Sequence, residues 1–150
     1  MKRGHQSLPK LDIKTLSLDA ILRQATDDTV SRAAAAWGVL GMLARNGRTE
    51  ATVFLLGLMQ MHRDDLISMA KLIDAISGVP SRIAAEAVKS EFYRIPSTAS
   101  SRTYHYEILR ALRRFPPPLA LEALEDLARD TNLSIRWRRR IQEETYRLGA

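Results

Sequence analysis

A chain of 150 residues with 45% hydrophobic and 27% charged content holds one domain's worth of core-forming material, which excludes a disordered protein. Without cysteine it has neither disulfides nor thiolate chemistry, and its longest apolar run, Val53 to Met59, is far too short to span a bilayer. The net charge of +6, carried mostly by Arg, favours anionic partners without demanding them.

The opening stretch MKRGHQSLPKLDIK is basic and polar and lacks the apolar segment of a secretory signal. Residues 1–14 therefore read as a flexible basic arm, ahead of a single helical domain over 15–150. The expected location is the cytoplasm, with no membrane contact. From Leu16 onward the apolar spacing is helical nearly everywhere. After a short helix opening near Ser17, DDTVSRAAAAWGVLGMLARNG runs from Asp caps to Gly47, a natural residue for a helix end. TEATVFLLGLMQM opens at Thr49 and is apolar on most faces, as an internal helix is. DDLISMAKLIDAISG again runs from Asp caps to a glycine, Gly78. SRIAAEAVKSEFY, SRTYHYEILRALRRF, PLALEALEDLARD behind Pro117 and Pro118, and LSIRWRRRIQEETYRLG complete the series. No segment alternates with period two, so the chain is all-α.

Self-similarity adds the architecture. DDTVSRA and DDLISMA share Asp, Asp, Ser and Ala in register, and looser copies place Ser31, Ser68, Ser101 and Ser134 at intervals of about 33 to 37 residues. Between these helix starts lie helices opening near Ser17, Thr49, Ser81 and Pro117. The pattern is about four antiparallel helix pairs, the mark of an α-solenoid. The acids and serines are read as caps rather than as a metal site shared by Asp27, Asp28, Asp64 and Asp65.

VSRAAAAWGVLGML at 30–43, LRALRRFPPPLALEALEDLARD at 109–130 and IRWRRRIQEETYRLG at 135–149 resemble the HEAT-repeat family, in its short bacterial form. That family shows an Asp, an apolar–Arg pair, an Ala-rich stretch and a Leu-Gly ending; here Ser stands after the apolar residue in the first two repeats. The resemblance implies a right-handed α-solenoid with a concave wall lined by the second helix of each pair. The alternative is the tetratricopeptide repeat, which AWGVLGMLARNGRTEA resembles, although Trp37 to Ala51 is too short a spacing and no second copy appears.

Catalytic constellations are missing. His5, His62 and His105 form no metal-ligand pair; His62 is expected in solvent at a turn, and His105 partly buried in a structural role. Trp37 belongs to a buried stripe with Val30, Ala33, Leu40 and Ala44. Glu122, Glu125 and Asp126 read as a solvated helix face. No cofactor is expected. Some HEAT-like proteins are enzymes, of lyase or DNA glycosylase type, and this is the remote alternative; none of their active-site residues transfers here.

Subtracting the core stripes leaves the predicted wall. Tyr104, Ile108, Ala111, Leu112 and Phe115 face inward, opposite Arg102, Tyr106, Arg110 and Arg113. Trp137, Ile141 and Leu148 face inward, leaving Arg136, Arg140, Glu143 and Arg147 outside. The earlier repeats expose Arg32, Ala35, Val39 and Met42, then Ser68, Lys71 and Ala75. The expected partner-binding residues are therefore Arg32, Val39, Met42, Lys71, Arg102, Tyr106, Arg110, Arg113, Arg136 and Arg140. Two classes fit them. A non-enzymatic scaffold would anchor a protein or peptide of acidic character on Val39 and Met42 and read its acids with arginines. Alternatively the basic C-terminal half would follow a nucleic-acid backbone, with Tyr106 stacking on bases. The first is favoured, because +6 is modest and Glu107, Glu143 and Glu144 interrupt the stripe. In LSIRWRRRIQEE, Arg139 with Glu143 and Arg140 with Glu144 stand at the helical spacing for ion pairs.

Overall fold

The computed structural model describes residues 16–149; the expected basic arm over 1–14 lies outside them. Eight helices follow one another among the described residues: α1 (Asp19–Ala25), α2 (Val30–Arg45), α3 (Thr49–Met61), α4 (Leu66–Ile76), α5 (Arg82–Arg94), α6 (Arg102–Arg114), α7 (Pro117–Arg129) and α8 (Ile135–Gly149). None is long and apolar enough to cross a membrane.

Local chemistry sets the boundaries. At the end of α2, Gly47 takes φ +98°, and the amides of Gly47 and Arg48 turn back onto the carbonyls of Ala44 and Leu43 at 3.1 and 2.9 Å. Those two bonds make a Schellman ending, which a side chain at that φ would strain. Asp65 caps α4 by accepting from the amides of Ile67 and Ser68 at 3.1 and 3.3 Å, and Ser81 caps α5 by accepting from Ala84 at 3.2 Å. Pro117 opens α7, where a missing amide hydrogen costs nothing.

The four serines of the repeat are not equivalent. Ser31 and Ser68 lie one or two residues inside their helices, behind Thr29 and Asp65. Ser101 precedes α6 but makes no cap bond; its Oγ donates to the carbonyl of Pro96 at 2.7 Å and ties down the loop instead. Only Ser134 caps as expected, accepting from the amide of Trp137 at 3.3 Å.

Packing follows chain order for most helices and adds a second rule. Helices α2, α4 and α6 each touch the next even-numbered helix, and α3 and α5 each touch the next odd-numbered one. The result is two rows, with one continuous apolar cluster drawn from both. Leu40, Leu72, Ile108 and Ile141 enter it from the even row, and Leu55, Val88 and Leu124 from the odd row, all fully buried. Each such side chain stabilises the fold by about 1.5–3 kcal/mol.

The rows are also stitched sideways. Gly41 lets α2 approach α4 so closely that a Cβ there would lie 2.1 Å from the carbonyl oxygen of Ala75. Arg45 donates to that same oxygen at 3.0 Å and to the Ser77 carbonyl at 3.3 Å. Arg114 pairs with Asp74 across α6 and α4.

Two expectations change. Ser68 and Ala75 are buried rather than exposed, because α4 is flanked by both α2 and α6 and shows only a narrow strip containing Lys71. Val30, at the first position of α2, is exposed, since the core stripe begins at Ala33. The acidic patch on α7 is the solvated face expected, but it is also ion-paired: Glu122 pairs with Arg82, and Asp126 with Lys89 at 3.1 Å, both across to α5.

Candidate functional site

All ten expected contact residues lie on the even row, and all ten are exposed. On α2, Val39 and Met42 present 39% and 49% of their surface, with Arg32 two turns before Val39. On α4, Lys71 sits beside a shallow groove shared with Gly38 and Glu107. The remaining six divide into two groups that their sequence spacing does not separate.

The first group is neutralised within the fold. Arg110 pairs with Glu107 at 3.0 Å. Arg113 reaches Glu144 at 2.7 Å, and Arg140 and Arg147 approach the same carboxylate at 3.6 Å each. Glu144 is buried, so three guanidinium groups converge on one desolvated carboxylate, and the one from α6, Arg113, binds α6 to α8. Arg140 also lies 3.8 Å from Glu143. Of the two pairs expected on α8, Arg140 with Glu144 forms; among the described residues Arg139 has no carboxylate partner.

The second group gathers at a cleft of about 1040 Å³. It lies between the α5–α6 loop, the α7–α8 loop and the N-terminal turns of α6 and α8. Arg102, Tyr106, Arg136 and Arg140 line it, joined by Arg139 and Trp137. Among the described residues Arg102, Arg136 and Arg139 have no ion-pair partner. Of the two acidic residues of the lining, Glu143 lies 3.8 Å from Arg140, and Asp130 accepts from the Asn132 amide at 2.8 Å.

Aromatic contacts hold the floor rigid. Trp137 packs edge-on against Phe92, with ring centres 5.3 Å apart and an 86° angle, and it meets Tyr106 at 5.1 Å. Its Nε1 donates to Ser97 Oγ at 2.7 Å. The Arg140 guanidinium sits over the Tyr106 ring, 5.4 Å from its centre. His105 lies beneath, fully buried, with Nδ1 3.0 Å from the Ser101 carbonyl and Nε2 2.9 Å from the Ile95 carbonyl. It spans the α5–α6 loop from end to end, so its structural role is larger than partial burial suggests. Tyr104 donates to buried Glu91 at 2.7 Å, and burial, with that bond second, pushes its hydroxyl far above the usual tyrosine range.

Sequence reasoning placed Trp137 in the core and left Ser97, Thr98 and Arg139 out. Trp137 is half-buried and forms the cleft's edge. The available signal was a tryptophan set among four arginines, a pairing of flat and cationic surface. The loop that completes the cleft stands 40 residues earlier and carries no signal of its own.

The other expected residues fall as follows. Trp37 is buried at 1% exposure, with Nε1 donating to the Ala25 carbonyl at 2.9 Å. His62 is half-buried rather than in open solvent, its ring 5.1 Å from that of Trp37. Among the described residues no group of three His, Asp or Glu is placed to hold a metal, and Asp27 serves instead to accept from the Thr29 amide at 2.7 Å. A comparison with protein-family models finds no match, and comparisons with curated proteins and with solved structures likewise find none.

Proposed function

We propose that the protein is a non-enzymatic helical-repeat scaffold, a HEAT-like α-solenoid, that binds an acidic protein segment along the exposed face of its even row. The two-row packing, in which α2 to α6 each meet their next-but-one neighbour, supports the solenoid reading.

A charge difference between the rows carries the functional reading. Every cation on α5 and α7 is held by a carboxylate: Arg82, Lys89, Arg94 and Arg129. The even row instead offers Arg32, Lys71, Arg102, Arg136 and Arg139 without a carboxylate partner among the described residues. Uncompensated arginines beside exposed Val39 and Met42 combine charge selection with apolar anchorage, as protein interfaces do. A nucleic-acid strand following the whole row is less well served, because Arg110, Arg113 and Arg140 are neutralised by Glu107, Glu143 and Glu144.

Affinity capture from the source organism tests this with three proteins. Wild type retains an acidic partner; Val39→Asp combined with Arg32→Glu loses it; Ile83→Asp, a change at a 70% exposed position of the odd row, keeps it. Equal loss in the Ile83 variant, or no loss in the even-row variant, rejects the reading.

A further inference from the structure

We infer that the cleft between the α5–α6 and α7–α8 loops is a binding site for a nucleoside phosphate, free or as a unit of a single strand. The inference is independent of the scaffold reading, which concerns the row as a whole. It rests on three observations that meet in one place.

First, the cleft is concave and roomy at about 1040 Å³, within the upper range for small-ligand sites. Second, positive charge is in excess: Arg102, Arg136 and Arg139 have no ion-pair partner among the described residues, whereas of the two lining acids Glu143 pairs with Arg140 and Asp130 accepts from the Asn132 amide. Such guanidinium groups suit the oxygens of a phosphate, which they hold bidentately. Third, the same cleft presents a flat surface. Tyr106 is 37% exposed and is braced by Trp137 on one side and by the Arg140 guanidinium on its ring. Aromatic and guanidinium planes together are the platform on which nucleobases stack.

Spacing joins the two halves. Arg102 stands about one helical turn before Tyr106 on α6, about 6 Å along the axis, and Arg136 stands the same distance before Arg140 on α8. A nucleotide separates its base from its phosphate by a distance of that order. Ser97, Thr98 and Ser134 add hydroxyl groups to the lining. An acidic peptide matches the charge equally well, but it carries no obligatory flat ring for Tyr106 and Trp137. The nucleoside phosphate uses both halves.

Trp137 is itself the reporter. The chain has two tryptophans, and Trp37 is sealed in the core. Full-length protein is titrated with adenosine monophosphate, adenosine, inorganic phosphate, a short oligoadenylate and an acidic peptide, following tryptophan emission. The expected result is saturable quenching by the nucleotide, with adenosine and phosphate each at least about tenfold weaker, because each supplies half of the contacts. An oligoadenylate that binds more tightly than the monophosphate assigns the site to single strands; equal affinity assigns it to free nucleotides. Arg136→Ala and Arg102→Ala, both on exposed side chains that leave the helical circular-dichroism signal unchanged, weaken binding about tenfold each, and Tyr106→Leu does the same. The inference is overturned if phosphate alone binds as well as the nucleotide, if only the acidic peptide responds, if no ligand responds, or if the two arginine variants bind like wild type.

Discussion

Trp137 and Ser97, 40 residues apart, are joined by a 2.7 Å hydrogen bond from Nε1 to Oγ that closes one wall of the cleft. The bond ties the first turn of α8 to the loop leaving α5. Because the pair lies at the surface, the bond itself contributes no more than about 1 kcal/mol. Ser97→Ala is therefore expected to lower stability by less than that in urea unfolding, while shifting tryptophan emission as Nε1 turns to solvent. An unchanged emission maximum in Ser97→Ala contradicts the pairing.

Two glycines three residues apart in α2, Gly38 and Gly41, are expected to respond to alanine with opposite signs. Gly41→Ala places a methyl group 2.1 Å from the Ala75 carbonyl oxygen and disturbs the Arg45 bond to it. Overpacking of that kind costs about 1–3 kcal/mol or more. Gly38 has nothing within 4 Å of its missing Cβ and lies in the exposed middle of the same helix, so Gly38→Ala is expected to stabilise by up to about 1 kcal/mol. Thermal melts of the two variants check this; destabilisation by Gly38→Ala, or tolerance of Gly41→Ala, refutes the close approach of α2 to α4.

Glu144 gathers three arginines, of which Arg113 ties α6 to α8 while Arg140 and Arg147 belong to α8 itself. Removing it in Glu144→Ala leaves those guanidinium groups half in water, where they rehydrate, so the cost falls below that of breaking a fully buried pair. We expect about 1–2 kcal/mol. In a double-mutant cycle with Arg113→Ala the two losses are not additive, because they remove the same 2.7 Å contact. Strict additivity argues against the network.

The Asp65 cap gives stability a pH dependence. The Ser68 hydroxyl first, and the Ser68 amide second, hold the Asp65 carboxyl below the usual carboxylate range. A depressed value means that the folded state prefers the charged form. Its contribution is complete above the ordinary value of about 4 and fades as pH falls through the lower folded value. Asp65→Ala is thus expected to be less stable than wild type by about 1 kcal/mol at neutral pH, with the gap narrowing below about pH 4. A gap that stays constant down to pH 3 rules out this cap.

The helices were legible because their signals are local. Asp65, Ser81, Pro117, Gly47 and Gly78 each act within a few residues of themselves, and all eight helix starts lie close to the positions their spacing predicts. Exposure on α6 was legible for the same reason: Tyr104, Ile108 and Leu112 repeat at helical intervals and all are buried. What spacing could not reveal is set by neighbours distant in sequence. Ser68 and Ala75 are covered by helices on both sides of α4, and Glu122 is clamped by an arginine 40 residues earlier. The site shows the same division. Exposure of Arg102, Tyr106, Arg136 and Arg140 follows from periodicity, as does the i,i+3 pairing of Arg110 with Glu107, whereas the gathering of those four around Trp137, and the loss of Arg113 to Glu144, depends on which helices become neighbours.

The proposed role is tested most directly by site-specific photo-cross-linking in a lysate of the source organism. A photoreactive residue replaces Val39 or Lys71 on the even row, or Ile83 on the odd row. The even-row positions are predicted to capture the same protein through an acidic segment, and position 83 to capture none. Equal capture at position 83, or a captured segment without acidic residues, contradicts the assignment of the even row as the binding face.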